Sequence, residues 1–394
     1  MYDAIVVGAR CAGAATALLL ARAGHRVLML DKSAHGSDVL STHLVHQPGV
    51  AALARWGLLE RVRASDCPPL GRTVYEVADI RIEGCARGVE GQRTGFAPRR
   101  RVLDPILADA AVEAGVEYRD RCRVTGLLRD GTGRVAGVEG RHGSGTFTER
   151  AHLVIGADGM RSTVARLAAA PYTVHDPRLT CAYYTYWPDV PADLELYERP
   201  AGWVAAVPTN DGTTLVLAYF PQARFEEVRT DARRAYEEQI RTTAPALYER
   251  LRGREPAERL HGTGDQQNFF RQATGPGWVL VGDAGHHKDS ITARGISDAF
   301  QQVESLAAKV TGLLGGDPAR LDTALADYAR QRDRDLTPGY EATLGVARLD
   351  PHEQRLSLLR AVQSDPELTA IYLDMVAGIV SADALYTPRL LALL

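Results

Sequence analysis

At 394 residues the chain is too long for one ordinary hydrophobic core, which predicts two domains or one interrupted domain. With 45% hydrophobic and 24% charged residues and a formal charge of -3 it reads as globular, with no electrostatic case for nucleic acid or an anionic membrane surface, so a small-molecule partner is expected. No apolar run approaches the roughly 18 residues of a membrane span, and the chain opens on a strand without an export signal, so a cytoplasmic location is the expectation.

The first strand, Asp3 to Val7, is continuously apolar after its first residue and ends at Gly8. Strong helix formers run from Ala12 to Ala23, Gly24 suits a C-terminal cap, and Arg26 to Leu30 is a second strand ending at Asp31. The turn Gly8-Ala9-Arg10-Cys11-Ala12-Gly13 fits GxGxxG except at its middle position, and Asp31 stands where such βαβ units place an acid on the adenosine ribose. Gly8 permits the tight turn, Gly13 lets helix and strand approach, and the helix N-terminus offers N–H groups to a pyrophosphate. Arg10 either turns away or adds a contact. The dinucleotide candidates here are Gly8, Arg10, Cys11, Ala12, Gly13, Asp31 and Lys32.

Arg72 to Gly84 and Tyr172 to Phe220 read as alternating strands that interrupt the nucleotide fold and form a substrate sheet. Between them, Asp130-Gly131-Thr132-Gly133 is a hairpin turn and not a second phosphate loop, because no helix follows it. Asn210-Asp211-Gly212 signals another hairpin. The aromatic residues Tyr183, Tyr184, Tyr186, Trp187, Trp203, Tyr219 and Phe220 either face a planar substrate or pack the sheet; Tyr184, Tyr186, Trp203 and Tyr219 are the substrate-side candidates.

Leu153 to Ser162 and Gly277 to His286 each read as strand then turn, carrying Asp158-Gly159 and Gly282-Asp283 at strand ends, where open α/β sheets bind ligands. Beyond Gly315-Gly316 the chain is helical, with Asp317-Pro318, Asp350-Pro351 and Asp365-Pro366 each placing a capping acid before a proline. These last helices are expected on the nucleotide domain or on another subunit, and a homo-oligomer is compatible with that. The five scattered cysteines read as small buried residues. Ser162 lacks a GxSxG setting, and His286, His287 and Asp289 lack metal-site spacing, so neither a hydrolase nor a metal is expected.

Together the three separated motifs resemble the p-hydroxybenzoate hydroxylase-like flavoproteins, a group of aromatic-ring monooxygenases, flavin-dependent halogenases and geranylgeranyl-reductase-like enzymes. Arg100, Leu103, Leu107 and Ala111 fit that family's RxxLxxxLxxxA helix, Ser41-Thr42-His43 its flavin-side segment, and Leu325, Tyr328 and Arg332 its LxxYxxxR helix. The resemblance implies an α/β fold in which a Rossmann-like FAD-binding domain of the GR2 type (1–71, 95–170 and 262–335) is interrupted by a mostly antiparallel substrate sheet (72–94 and 171–261), with C-terminal helices over 336–394. It implies FAD as cofactor, with Thr42, Arg100, Asp158, Gly282, Asp283, Arg294, Gly295 and Ile296 on it. NADPH or NADH is implied as a transient co-substrate, and O2 as oxidant.

The implied reaction is hydroxylation of an aromatic or polycyclic molecule through a flavin C4a-hydroperoxide, with His43 and His286 as candidate proton-moving groups; His287 is placed like His286. Departures are Ser290 at the family's proline, Thr292 at a glycine and Ser297 at the asparagine of the GD segment, where Gly295 is retained. A halogenase would need an early lysine and WxWxIP. The only lysines are Lys32, Lys288 and Lys309, and Ala205 stands at the second tryptophan after Trp203. The alternative is a geranylgeranyl-reductase-like enzyme acting on an apolar substrate.

Overall fold

The computed structural model describes residues 1–394. The strand Tyr2–Val7 pairs in parallel with Val27–Leu30 on one side and Gly145–Gly156 on the other, and Glu117–Arg119 and Trp278–Leu280 extend the sheet in parallel beyond them. Val27–Leu30, Trp278–Leu280, nearly all of Tyr2–Val7 and the inner end of Gly145–Gly156 are apolar and buried because both faces of the sheet are covered there. The helix Cys11–Arg22 connects the first two strands and packs on Arg100–Glu113 and Gly295–Val310. The outer half of Gly145–Gly156 forms an antiparallel meander with Val135–His142 and Cys122–Arg129. The turn between those last two strands is closed by the Asp130 carboxylate, which accepts the N–H groups of Thr132 and Arg134.

A second sheet has seven strands in the spatial order His261–Thr263, Thr180–Pro188, Thr213–Pro221, Gly202–Pro208, Leu194–Arg199, Thr73–Val77, Ile80–Gly84. All its pairs are antiparallel except Leu194–Arg199 with Thr73–Val77. Asp211 and Gly212 take positive φ in its central hairpin. Tyr172–Asp176 was expected in this sheet but belongs to a separate one with Asn268–Arg271 and His286–His287, as an exposed edge strand.

The sheet's central strands do not alternate buried with exposed residues, because both faces are covered. One face packs on the helices Ala232–Thr243 and Pro245–Leu251. The other, carrying Tyr184, Tyr186, Trp203 and Tyr219, shares a core with Leu359, Val362, Leu368, Ile371, Tyr372 and Leu373. The helices Glu353–Ser364 and Pro366–Val376 therefore lie on the second sheet of the same chain, where the expectation was the nucleotide fold or another subunit. The Arg355 guanidinium reaches the fully buried Glu198 carboxylate at 2.6 and 2.9 Å and the Tyr75 hydroxyl at 2.7 Å.

Asp317 and Asp365 cap their helices as expected. Asp350 does not: Leu349 takes a left-handed turn with φ 54°, and His352 caps Glu353–Ser364 instead. The helix Pro318–Ala347 is continuous, so a division at 335/336 falls inside it. From it Tyr328 donates to the Leu280 carbonyl, and Arg332 to the carbonyls of Gly285 and Arg271, clamping both sides of the GD turn. Four cysteines are buried; Cys85, expected to be, is exposed. No helix is long and apolar enough to cross a membrane.

Candidate functional site

A cleft of about 640 Å³ opens at the carboxyl ends of the parallel strands, within the roughly 300–1,000 Å³ of small-molecule and cofactor pockets. Its first wall is the glycine turn. A Cβ on Gly13 would overlap the Gly8 carbonyl, and one on Gly8 would overlap the Ala157 carbonyl, so helix and strands touch through backbone here. Arg10 precedes the helix Cys11–Arg22 without capping it by its side chain, and no acid stands in the first turn. The orphan N–H groups of that turn are thus left for an anion. Arg10 turns along the following loop and donates to Ser37 at 3.1 Å, while still bordering the cleft.

Asp31 borders the cleft, but both its oxygens already accept backbone N–H groups, from Ala9 at 2.8 Å and Ser33 at 2.7 Å. It fastens the strand end to the glycine turn. Lys32 and Ala12 border the same space, whereas Gly13 lies beneath the turn and does not. Cys11 is buried and donates to Asp104, which also holds Arg100 at 2.9 Å, so the arginine of the RxxL helix is fixed at the cleft wall.

The DG and GD segments meet the cleft differently. The Asp158 carboxylate is engaged by Ser162 and by the N–H groups of Thr163 and Val164, so it serves the short helix Thr163–Leu167; burial raises its pKa against the pull of those bonds. Asp283 is exposed to the cleft and makes no hydrogen bond or ion pair within the chain. Gly282 before it has φ 62°, and a Cβ there would stand 2.9 Å from the Ala12 Cβ, which brings the GD turn against the nucleotide helix.

At the far end are Ser41, Thr42, Lys288, Asp289, Ser290, Gly295 and Ile296. The left-handed residue of this turn is Ala293, φ 53°, rather than Thr292, which instead bonds Thr343 at 2.8 Å. Arg294 precedes the helix Gly295–Val310, but its guanidinium lies against Gly339 and Gly378, away from the cleft. Ser297 accepts the His46 N–H at 3.2 Å. Burial pushes the Asp289 carboxyl up to about 6.

Of the two candidate histidines only His286 borders the cleft. It is buried, neither ring nitrogen has a partner, and burial and then the Lys288 charge hold its pKa well below the ordinary value. His43 sits behind the cleft wall with φ 62°, its Nε2 at 2.6 Å from the Tyr186 hydroxyl. Burial, then the Arg100 charge, pushes it down to about 3, so it is neutral at physiological pH and suited to hydrogen bonding rather than to carrying a proton.

Tyr184, Tyr186, Trp203 and Tyr219 do not border the cleft; they form the adjoining sheet face. Two of them touch its wall, Tyr186 through His43 and Tyr219 through Ser290 at 3.0 Å. Sequence reasoning missed Arg99, which is buried, stacks over Tyr186 at 3.9 Å and pairs with Asp38 and Glu258 at 2.9 and 2.5 Å. It thereby ties the loop carrying Ser41 to His43 to the sheet. Lys288 was missed too, and no local spacing announces either residue.

An uncapped helix N-terminus, a close-packed glycine cradle, an unengaged Asp283 and an orphaned imidazole fit an elongated dinucleotide. Comparison with known proteins agrees. Residues 1–334 match the family described as FAD binding domain. The chain is 28% identical over 318 residues to digeranylgeranylglycerophospholipid reductase of Methanocella arvoryzae, covering 76% of this chain and 74% of the relative. It is 27% identical over 326 residues to 6-methylpretetramide 4-monooxygenase of Streptomyces rimosus, covering 76% and 72%. Among solved structures, the flavin-dependent brominase Bmp2 superposes with a TM-score of 0.85 at 17% identity over 99% of this chain and 96% of its own, a likeness of fold. The glycine cradle and the family match lead to one conclusion: this chain belongs to the FAD binding domain family and is an FAD-dependent oxidoreductase.

Proposed function

We propose that the protein is a monooxygenase that hydroxylates an aromatic or polycyclic small molecule, with NADPH or NADH as reductant and O2 as oxidant. The observation that carries this reading is the contact of the cleft's far end with an aromatic sheet face, directly through Ser290 to Tyr219 and, behind the cleft wall, through His43 to Tyr186. When bound, FAD supplies two-electron transfer and activation of oxygen. In this reading Gly8 and the helix N-terminus seat the pyrophosphate, Gly13 lets the helix approach the turn beneath it, and Asp283 accepts from the ribityl hydroxyls. Segments 1–71, 95–170 and 262–335 serve the cofactor, together with the edge strand Tyr172–Asp176 that pairs with Asn268–Arg271, and 72–94 and 177–261 serve the substrate.

The chain's own residues then act by position. Arg99 and Tyr186 hold the loop Asp38 to His43 against the sheet, which excludes water from one side. His43 stays neutral and orients the Tyr186 hydroxyl, and His286 offers a neutral donor and acceptor inside the cleft. The likeness to a relative named 6-methylpretetramide 4-monooxygenase supports the monooxygenase reading. The likeness to digeranylgeranylglycerophospholipid reductases favours a second reading, saturation of a prenyl chain.

An anaerobic titration separates them. The FAD-loaded protein is mixed with NADPH or NADH, with and without phenolic, polycyclic or prenyl compounds, and the flavin band is followed before and after air is admitted. Bleaching with substrate-dependent hydroxylated product on aeration supports the first reading; oxygen-independent consumption of a prenyl double bond sinks it in favour of the second.

A further inference from the structure

The two ends of the cleft are lined differently. The glycine turn and the uncapped helix take the pyrophosphate, with Asp31 and Lys32 beyond it, so the flavin ring falls to the opposite end, among Ser41, Thr42, Ser290 and Gly295. There Lys288, 8% exposed, is ion-paired with Asp298, 5% exposed, and both border the cleft. A buried pair of this kind is not needed for stability, since an apolar pair of like volume would serve as well. Of the three N–H donors of the ammonium only one is used, by Asp298, and no other hydrogen bond is made. A cation with unused donors therefore borders the space assigned to the ring, in surroundings dry enough to strengthen its field.

We propose that Lys288, positioned by Asp298, offsets the negative charge that the flavin ring takes up on reduction and so sets the reduction potential of the bound FAD. Two electrons and one proton added to the neutral ring leave one negative charge on its pyrimidine side, which is the charge the ammonium faces. The inference rests on the reading that the ring lies at this end of the cleft.

The test is the midpoint potential of the FAD-loaded protein, measured by slow enzymatic reduction with xanthine and xanthine oxidase against a reference dye. Lys288→Gln is expected to lose at least a tenfold preference for the reduced over the oxidised cofactor, a fall of about 30 mV for a two-electron couple. Lys288→Arg should keep most of that preference, and Asp298→Asn should raise the potential by removing the opposing charge. Should Lys288→Gln fail to fold because Asp298 keeps only the Arg294 guanidinium, 4.0 Å away, Lys288→Gln with Asp298→Asn removes both charges of the pair and must show a lower potential than Asp298→Asn alone. An unchanged potential with a shifted flavin absorbance overturns the charge role alone, because the ring then still lies against residue 288. An unchanged potential with unchanged absorbance overturns the placement of the ring as well.

Discussion

The cofactor end and the second sheet of this molecule are built on opposite plans. The cofactor end is made of backbone: a glycine turn, an open helix N-terminus and carboxylates at strand ends, all set by short spacings along the chain. The second sheet and its helical cover are joined by side chains brought from far apart, with Tyr75, Glu198, Trp203, Arg355 and Tyr372 meeting across hundreds of residues. The first plan tolerates almost no added atoms, and the second tolerates exchange of atoms but not loss of a partner.

The largest expected effect tests the first plan. Gly13→Val places a side chain where the Gly8 carbonyl already stands, and should cost more than about 5 kcal/mol and abolish FAD binding, read as thermal midpoint and flavin content. A folded, yellow Gly13→Val protein would break the comparison. Next, Arg355→Ala should cost about 3–5 kcal/mol by leaving the fully buried Glu198 without its cation, read by denaturant unfolding. A loss under 1 kcal/mol would show that the network is incidental. Asp283→Ala should weaken FAD by about 1.5–3 kcal/mol without changing the stability of the apoprotein, measured as a dissociation constant by flavin fluorescence. Undiminished affinity would remove Asp283 from the cofactor site.

The smallest effect is one of pH. His43 and His46 are held down to about 3 and about 4, chiefly by burial. Below about pH 6.5 the unfolded chain takes up protons that the folded chain refuses, so stability is full above that pH and falls as pH drops toward the folded values. Between pH 6.5 and 5 each ring should cost about 1.5 kcal/mol. A His46→Gln variant whose unfolding keeps the wild-type slope with pH over that range would contradict it.

The same contrast governs what could be read from the residues alone. The βαβ unit and the two acid-bearing strand ends were legible because each is a local pattern. The four aromatic residues picked as substrate-side, Tyr184, Tyr186, Trp203 and Tyr219, do share one face, but that this face is covered by the C-terminal helices and does not border the cleft was not legible, because the contact is made by segments far apart in the chain. Asp350 looked like a cap as good as Asp317, and only the left-handed turn at Leu349 shifts the cap to His352. Arg99, Lys288 and the C-terminal helices owe their places to contacts formed after the chain has folded, with partners such as Glu258, Asp298 and Glu198 that no spacing rule connects.

Arg294 joins the two plans. Its backbone opens the helix that borders the cleft, while its guanidinium fills a notch at Gly378, where φ is 74° and any side chain would collide with it. Gly378 lies just past the helix that covers the sheet, so the cofactor seat and the outer wall of the sheet share a hinge pin. Grafting a foreign C-terminal segment onto this scaffold must therefore satisfy a backbone condition as well as the apolar face and the cation for Glu198: the graft has to return a bare backbone to the tip of Arg294.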